Sequence, residues 1–499
     1  MKNITFSLLL ITFSTYASAQ NLIHQIDSLV TLKVSEYELS GNVLVAEKGK
    51  IIYQQSNGIA NSVTNTPVTS ASAFHLASVS KLFTSIAILQ LNEKGKLNLN
   101  DPVKKYIPEL DNGVITISQL LSHTSGLADY QILEKPYNQD TSKIFTIGDI
   151  PLIINNDKNA FRSAPGEKWS YSNPGYNLLA LIIEKITKTS FPDYLSKYVF
   201  KPAGMLHTYI NTPLIKVNDP NRVVGYDYLY FAPWVLQRAD SLGHNHIELH
   251  HIDGLIGMAN VVSTSEDLLK FDQSLYIGKI IKQSSLDKAF TPIRLNNGEL
   301  AETGWKNTKS YFGLGWCILK DSTYGKVVFH TGGMPGAVTM FSRNIIRNQT
   351  VIVLNNITHR STHNTAMSLM YLMNGGKAQT DKKSVANEFV RTLTKHDINT
   401  AWAQLNSIKA DTAHFYLDEH EMNMNGIGMF FNNYKAKGME VLRLNTVLFP
   451  NSANVYDSLG MALADSGDKP NAILMYKKAL AINPKFTSAI NALKKLTGD

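Results

Sequence analysis

The sequence predicts a mixed α/β (α+β) fold: one antiparallel sheet flanked by helices, with an all-helical region between its first and last strands, followed by a small all-α domain. Three observations predict it. Residues 41–61, "GNVLVAEKGKIIYQQSNGIAN", alternate apolar and polar about Lys48-Gly49-Lys50, as a β-hairpin does. From Ser78 to about residue 210 the apolar period is helical, in "SQLLSHTSGL" and "GYNLLALIIEKITK". Between about 311 and 357 it returns to short β-rich runs: "YFGLGWCIL", "KVVFHTGG", "GAVTMFSRN" and "QTVIVLNNI". Strands at both ends with helices between them suggest one sheet closed by the ends of the domain and packed against the helical region.

At 499 residues the chain is long for one core, and its 44% hydrophobic content is ordinary for a globular protein. The net charge of +8 comes from 48 basic and 40 acidic residues scattered along the chain. No basic run with interleaved aromatics occurs, which argues against a nucleic-acid partner.

In chain order, residues 1–19 have the build of a secretory signal peptide: one lysine, an apolar core and Ala17-Ser18-Ala19 before the expected cleavage. No other apolar run is long enough to span a bilayer. The expectation is a periplasmic or secreted protein that begins at Gln20 and has no membrane span after cleavage. Residues 20–372 then form the sheet-containing domain.

Next comes "FHLASVSKLFTSIAILQL", residues 74–91. Ser78 opens an apolar helix, where unpaired N–H groups and the positive end of the dipole favour a developing oxyanion. Lys81, one turn on and walled by apolar residues, loses solvation for its ammonium form, so its pKa falls toward that of a usable base. Two further Ser-x-x-Lys runs, at Ser285–Lys288 and Ser466–Lys469, lack this setting and read as surface helix or turn. His123 in "LLSHTSGL" reads as a structural hydrogen-bonding residue at a helix end.

In "PGEKWSYSNPGYNLL", Tyr171-Ser172-Asn173 precedes another apolar helix. Its phenol suits a proton relay to a leaving group, and its amide suits holding a substrate carbonyl or the lysine. Tyr209-Ile-Asn211 repeats the pattern without that context. The run "HNHIELHH", residues 244–251, looks like a metal site, but Glu248 is not where a metalloprotease needs its base, so no metal is expected. Cys317, the single cysteine, sits in an apolar strand as a structural residue and permits no internal disulfide. His330-Thr331-Gly332-Gly333 ends a strand. Its glycines would let a substrate backbone approach, and the Gly333 N–H would complete an oxyanion hole with that of Ser78.

Residues 373–384, "MNGGKAQTDKKS", read as a linker to a helical domain over 385–499. Pro450 and Pro484 stand 34 residues apart. The spacing of Tyr456, Leu459, Gly460, Gly467, Ala472, Tyr476 and Ala479 resembles the tetratricopeptide repeat, well over 453–486 and weakly over 419–452. Such repeats imply a possible protein partner.

The sequence also resembles the serine β-lactamase and penicillin-binding-protein superfamily, in particular its class C β-lactamase-like branch, which includes DD-peptidases and esterases. The resemblance covers about residues 25–360 and rests on "ASVSKLFTS", "LLSHTSGL", "PGEKWSYSNPGYNLL", "YFGLGW" and "HTGG", in the family's order. It implies that Ser78 is the acylated nucleophile, Lys81 its base, Tyr171 the proton-relay tyrosine and Asn173 the substrate-orienting amide, with His330, Thr331 and Gly332 binding substrate. His330 stands where the family's third motif usually has lysine. Histidine at that place is seen in DD-peptidase-like and esterase-like members, so the resemblance implies that efficient penicillin hydrolysis is disfavoured; an imidazole also attracts a substrate carboxylate less firmly than lysine at pH 7.

The function these readings imply is an exported serine hydrolase of carboxypeptidase or esterase type. It would cleave small esters, amides or D-amino-acid peptides through an acyl-enzyme, without cofactor. Its alternatives are a catalytically silent protein that binds wall peptides and recruits a partner through the repeats, and a true β-lactamase.

Overall fold

The structure is a computed structural model that describes residues 20–111, 114–212, 214–229, 231–241, 254–305, 308–359, 361–379 and 382–498. The signal-peptide reading (1–19) and the histidine-rich run (244–251) lie outside the described residues. The chain forms two compact units: one ends at Asp227 and resumes over Gln237–Gln379, and the other takes Tyr228–Leu236 and the chain from Thr380.

The first unit is organised by a seven-stranded sheet. Its strands are β1 (Gly41–Glu47), β2 (Lys50–Asn57), β3 (Ser310–Phe312), β4 (Cys317–Leu319), β5 (Val327–Met334), β6 (Ala337–Asn344) and β7 (Gln349–Asn355). They run in the order β3-β4-β5-β6-β7-β1-β2, and every neighbouring pair is antiparallel. β1 lies against β7 from Gly41 opposite Asn355 to Glu47 opposite Gln349, so the sheet is closed by the two ends of the domain as the sequence predicts.

Side-chain alternation splits each central strand between two cores. Val43, Val45, Val351 and Val353 face one side, where Ile26 and Val30 of the helix over residues 20–35 and Met367 and Met370 of a later helix (Ser361–Leu372) cover them. Leu44, Ala46, Ile352 and Leu354 face the other side, which is covered by the helical region. Two helices of that region position the site: α1 (Lys81–Glu93) and α2 (Asn173–Thr187). Cys317 is buried in the first of these cores, and burial holds its thiol well above the usual range, as its apolar flanks predict.

A second, three-stranded sheet joins Phe74–His75, Val261–Ser263 and Tyr209–Ile210. It delivers the chain to Ser78. The Tyr209 hydroxyl donates to Asp219 at 2.9 Å, a local tie that accounts for the second Tyr-x-Asn pattern.

The expected linker changes hands partway. The Gln379 N–H still donates to Ser368 Oγ, at 2.8 Å, whereas Lys383–Ser384 pairs with Phe415–Tyr416 in the second unit. That unit holds helices Val385–Lys395, Ile398–Ile408, Glu419–Phe431, Lys435–Leu448, Ala453–Asp465, Lys469–Ile482 and Thr487–Thr497. The division falls within the expected linker, and the departure from the expected domains is Tyr228–Leu236, which belongs to this unit. Phe231 and Ala232, assigned by the sequence reading to the sheet-containing domain, are buried in a core with Val385, Phe389 and Met429. Among the described residues no helix is long and apolar enough to cross a membrane.

Candidate active site

Ser78 does not open the α-helix itself. It sits in a 3₁₀ turn, Ala77–Ser80, and α1 begins at Lys81. The difference originates at Ala77, whose φ of +46° is left-handed backbone. A non-glycine residue held there costs on the order of 1–3 kcal/mol and persists only where its surroundings fix it. Here the Ala77 N–H donates to His75 Nδ1 (3.0 Å), and His75 Nε2 meets Asn260 Oδ1 (3.0 Å). The Leu76 N–H donates to Val261 O at 2.8 Å, and Leu76 O accepts from Thr339 Oγ1 at 2.7 Å. The turn therefore hangs between the small sheet and β6, and the Ser78 side chain is left partly exposed.

Lys81 has no exposed surface. Its Nζ lies 3.0 Å from Ser78 Oγ, 2.7 Å from Asn173 Oδ1 and 2.9 Å from the Met258 carbonyl. Burial pushes its pKa down to about 7, against the opposing charge of Asp129. Nζ donates to all three of these oxygens; once neutral, with two N–H bonds and one lone pair, it can keep the two carbonyls as acceptors and turn the lone pair to the Ser78 hydroxyl. The orientation of the Asn173 amide is fixed from behind, because its Nδ2 and its backbone N–H both donate to Asp129 Oδ1 at 2.9 Å. Asn173 therefore holds the lysine, one of the two roles its residue type allowed.

Tyr171 stands beside this pair. Its phenol hydrogen-bonds with Ser78, and its ring lies 5.1 Å from Lys81 Nζ. Burial holds the phenol well above its ordinary pKa, so the resting group is a neutral O–H donor. α2 starts at Asn173 because Ser172 caps it, accepting the Gly175 N–H at 3.4 Å. His123 fixes the preceding loop. Its carbonyl accepts the Ser170 N–H (2.8 Å), its Nδ1 accepts the Ser172 N–H (3.2 Å), and its ring lies 4.2 Å from that of Tyr171. It is buried and held well below its ordinary pKa by desolvation. Its role is structural, at a helix end, and it backs the tyrosine.

The third motif lies on β5, an inner strand between β4 and β6. A Cβ at Gly332 would lie 2.3 Å from Leu76 O and 2.3 Å from Thr339 Oγ1. This glycine is needed so that the strand can pack against the turn that carries Ser78, which corrects the expectation that it makes room for substrate. Nothing lies within 4 Å of a Cβ built on Gly333, so this glycine, unlike Gly332, faces open space. His330 has no exposed surface, which places its ring behind the cleft wall; Thr331 and Gly333 are the members of the motif with exposed surface. Its Nδ1 lies 2.7 Å from the Thr331 carbonyl and so carries the ring proton. Burial, with the Lys81 charge second, lowers its pKa to about 3, and the imidazole is neutral.

Sequence reasoning missed Asp129, His75, Asn260 and Met258. Asp129 had a signal: it is the one acid in "LLSHTSGLADYQ", directly after a recognised motif. Met258 contributes a backbone carbonyl, which residue types do not announce.

The two-faced antiparallel sheet, the helical region and a serine within reach of a buried lysine and a tyrosine define a serine hydrolase of the β-lactamase fold. The chain matches the family described as Beta-lactamase over residues 26–386, and it belongs to that family. It is 36% identical over 342 residues to Penicillin-binding protein 4* of Bacillus subtilis, covering 68% of this chain and 72% of that protein. Among solved structures, the octameric penicillin-binding protein homologue from Pyrococcus abyssi is similar at a TM-score of 0.61 and 22% identity, over 71% of this chain and 78% of that one. The D-amino acid amidase from Ochrobactrum anthropi is similar at 0.58 and 21%, over 71% and 99%. At such identities the structures speak for the fold alone.

Proposed function

We propose that the protein is an exported serine hydrolase that forms an acyl-enzyme on Ser78 and cleaves small esters, amides or D-amino-acid peptides. The observation that carries this reading is the fully buried Lys81 amine 3.0 Å from a partly exposed Ser78 hydroxyl, with its other two hydrogen-bond partners both carbonyls. Ser78 Oγ attacks the carbonyl carbon as its proton passes to Lys81 Nζ. The N–H groups of Ser78 and Gly333 hold the oxyanion. Tyr171 gives its phenolic proton to the leaving atom and recovers one from Lys81. Water, deprotonated by the same groups, then releases the acyl group and regenerates Ser78. A relative named for penicillin binding supports an acyl donor of D-peptide type. On this reading the helices of the second unit serve one of two roles, recruiting a protein partner or capping the hydrolase domain.

The test is intact-mass analysis of the protein after incubation with a fluorophosphonate, followed by peptide mapping. A single adduct on Ser78, absent from Ser78→Ala, is the expected result. A folded protein without an adduct would instead favour a silent binding protein, and rapid turnover of a cephalosporin would make it a β-lactamase.

A further inference from the structure

Three aromatic rings form a continuous wall beginning at the catalytic tyrosine. The Tyr171 ring lies 6.3 Å from that of Trp305 and 6.3 Å from that of Trp169, and the two indoles meet edge to face at 5.8 Å and 87°. All three side chains keep part of their surface exposed. The chain carrying Trp305 is tied down at its base, where the Thr303 N–H donates to Ser310 O at 2.9 Å and their hydroxyls meet at 2.8 Å. Trp169 and Trp305 pack against the core that holds Phe312 and Phe329 and keep part of their surface free for contact with a ligand.

Direction follows from the chemistry. This step rests on the proposed hydrolase reading, in which Tyr171 protonates the leaving atom. A bulky leaving group that extends from the Tyr171 hydroxyl along its ring toward Trp305 would meet that indole, 6.3 Å from the tyrosine. A carboxylate placed there would be partly desolvated against two indoles. The third motif offers it no cation either, because His330 is buried and its one proton is committed to Thr331 O. We infer that the leaving-group side of the cleft selects an uncharged aromatic or bulky apolar alcohol or amine, with Trp305 as its specificity-determining residue. The preferred substrates are accordingly neutral esters or amides, and a peptide ending in a free carboxylate is a poor one.

The test uses the full-length protein and three butanoate esters, ethyl, benzyl and 4-carboxybenzyl, whose alcohols are similarly unactivated. In the wild type, kcat/KM for the benzyl ester should exceed that for the ethyl ester by about tenfold or more, and 4-carboxybenzyl should lose about that factor relative to benzyl. Trp305→Ala should bring the benzyl-to-ethyl ratio to within about twofold, and Trp305→Phe should restore most of it. Because the readout is a ratio within one preparation, partial misfolding of a variant does not disturb it. Equal rates for ethyl and benzyl, a preference for the carboxylate, or a ratio that survives Trp305→Ala would each overturn the inference. Fluorophosphonate labelling separates the two readings. An adduct on Ser78 without ester selectivity sinks this inference and leaves the hydrolase standing; no adduct and no turnover sinks both.

Discussion

At the scale of single residues, the proposed mechanism turns on the protonation of Lys81. Burial lowers its pKa to about 7, and in that mechanism only the neutral amine accepts the Ser78 proton. Activity should therefore be full above that value and lost as pH falls, with kcat/KM dropping by about tenfold per pH unit well below the midpoint. His330 does not supply this limb, since it remains neutral down to about 3. Asp129 offers a sharper check. Its negative charge raises the Lys81 pKa against the effect of burial, so Asp129→Asn should move the acid limb to lower pH. The same change frees the Asn173 amide to turn its nitrogen toward Lys81, and kcat should fall by about 10–100-fold, the usual effect of losing an orienting partner. A pH–rate profile of both proteins reads both effects; an unmoved limb would mean that Asp129 does not couple to the lysine. Much of this constellation was legible in the sequence. Ser78, Lys81, Tyr171 and Asn173 lie in short runs whose flanks disclose a buried helix. Asp129 and the Met258 carbonyl were not, because they reach Lys81 only through folding, Asp129 by way of Asn173.

At the scale of elements, the turn carrying Ser78 and the strand β5 are fitted to each other. Ala77 adopts its left-handed backbone only while Leu76 is held between Val261 and Thr339, and β5 comes close enough to pack there only because residue 332 has no side chain. Gly332→Ala sets a methyl group against a backbone oxygen that has nowhere to go. It should cost about 1–3 kcal/mol of stability and slow Ser78 labelling by a fluorophosphonate, because strand and turn must part to admit it. Gly333→Ala, with open space at its Cβ, should leave stability within about 0.5 kcal/mol. Urea denaturation of the two variants distinguishes them; similar midpoints would mean that β5 is free to shift. The sequence identified these glycines as places of close approach, but it could not say what approaches. For Gly332 the neighbour is the turn that carries Ser78, a contact between residues far apart in the chain. The helix start was misplaced for a related reason, since the apolar period runs unbroken through Ser78 and only tertiary hydrogen bonds make the first turn 3₁₀.

At the scale of the whole molecule, periodicity found the elements but not every partner. The closure of the sheet by β1 and β7 followed from strands at both ends of the domain, and in the last helices glycines sit where neighbouring elements come close. A Cβ at Gly438 would lie 2.4 Å from the Phe430 nitrogen, and one at Gly460 would lie 2.9 Å from the Tyr476 ring. The membership of residues 228–236 was not foreshadowed, because a short apolar run shows that it must be buried without showing where. Phe231 is 1% exposed, meets the Tyr434 ring edge to face at 5.5 Å, and touches the position where Gly428 would carry a Cβ. The second unit is thus not a separable tail, since part of its core is supplied by chain that precedes it by about 150 residues. Phe231→Ala should remove about 3–5 kcal/mol from that core. The loss should be local: hydrogen exchange should speed up in helices Val385–Lys395 and Glu419–Phe431, while the amides of β6 and β7 keep their protection. Truncation at residue 379 should likewise leave Phe231 and Ala232 without their core and yield a protein prone to aggregate. Unchanged exchange in both helices would show that they hold together without the inserted segment, and a soluble, monomeric truncation would show that residues 228–236 find cover elsewhere.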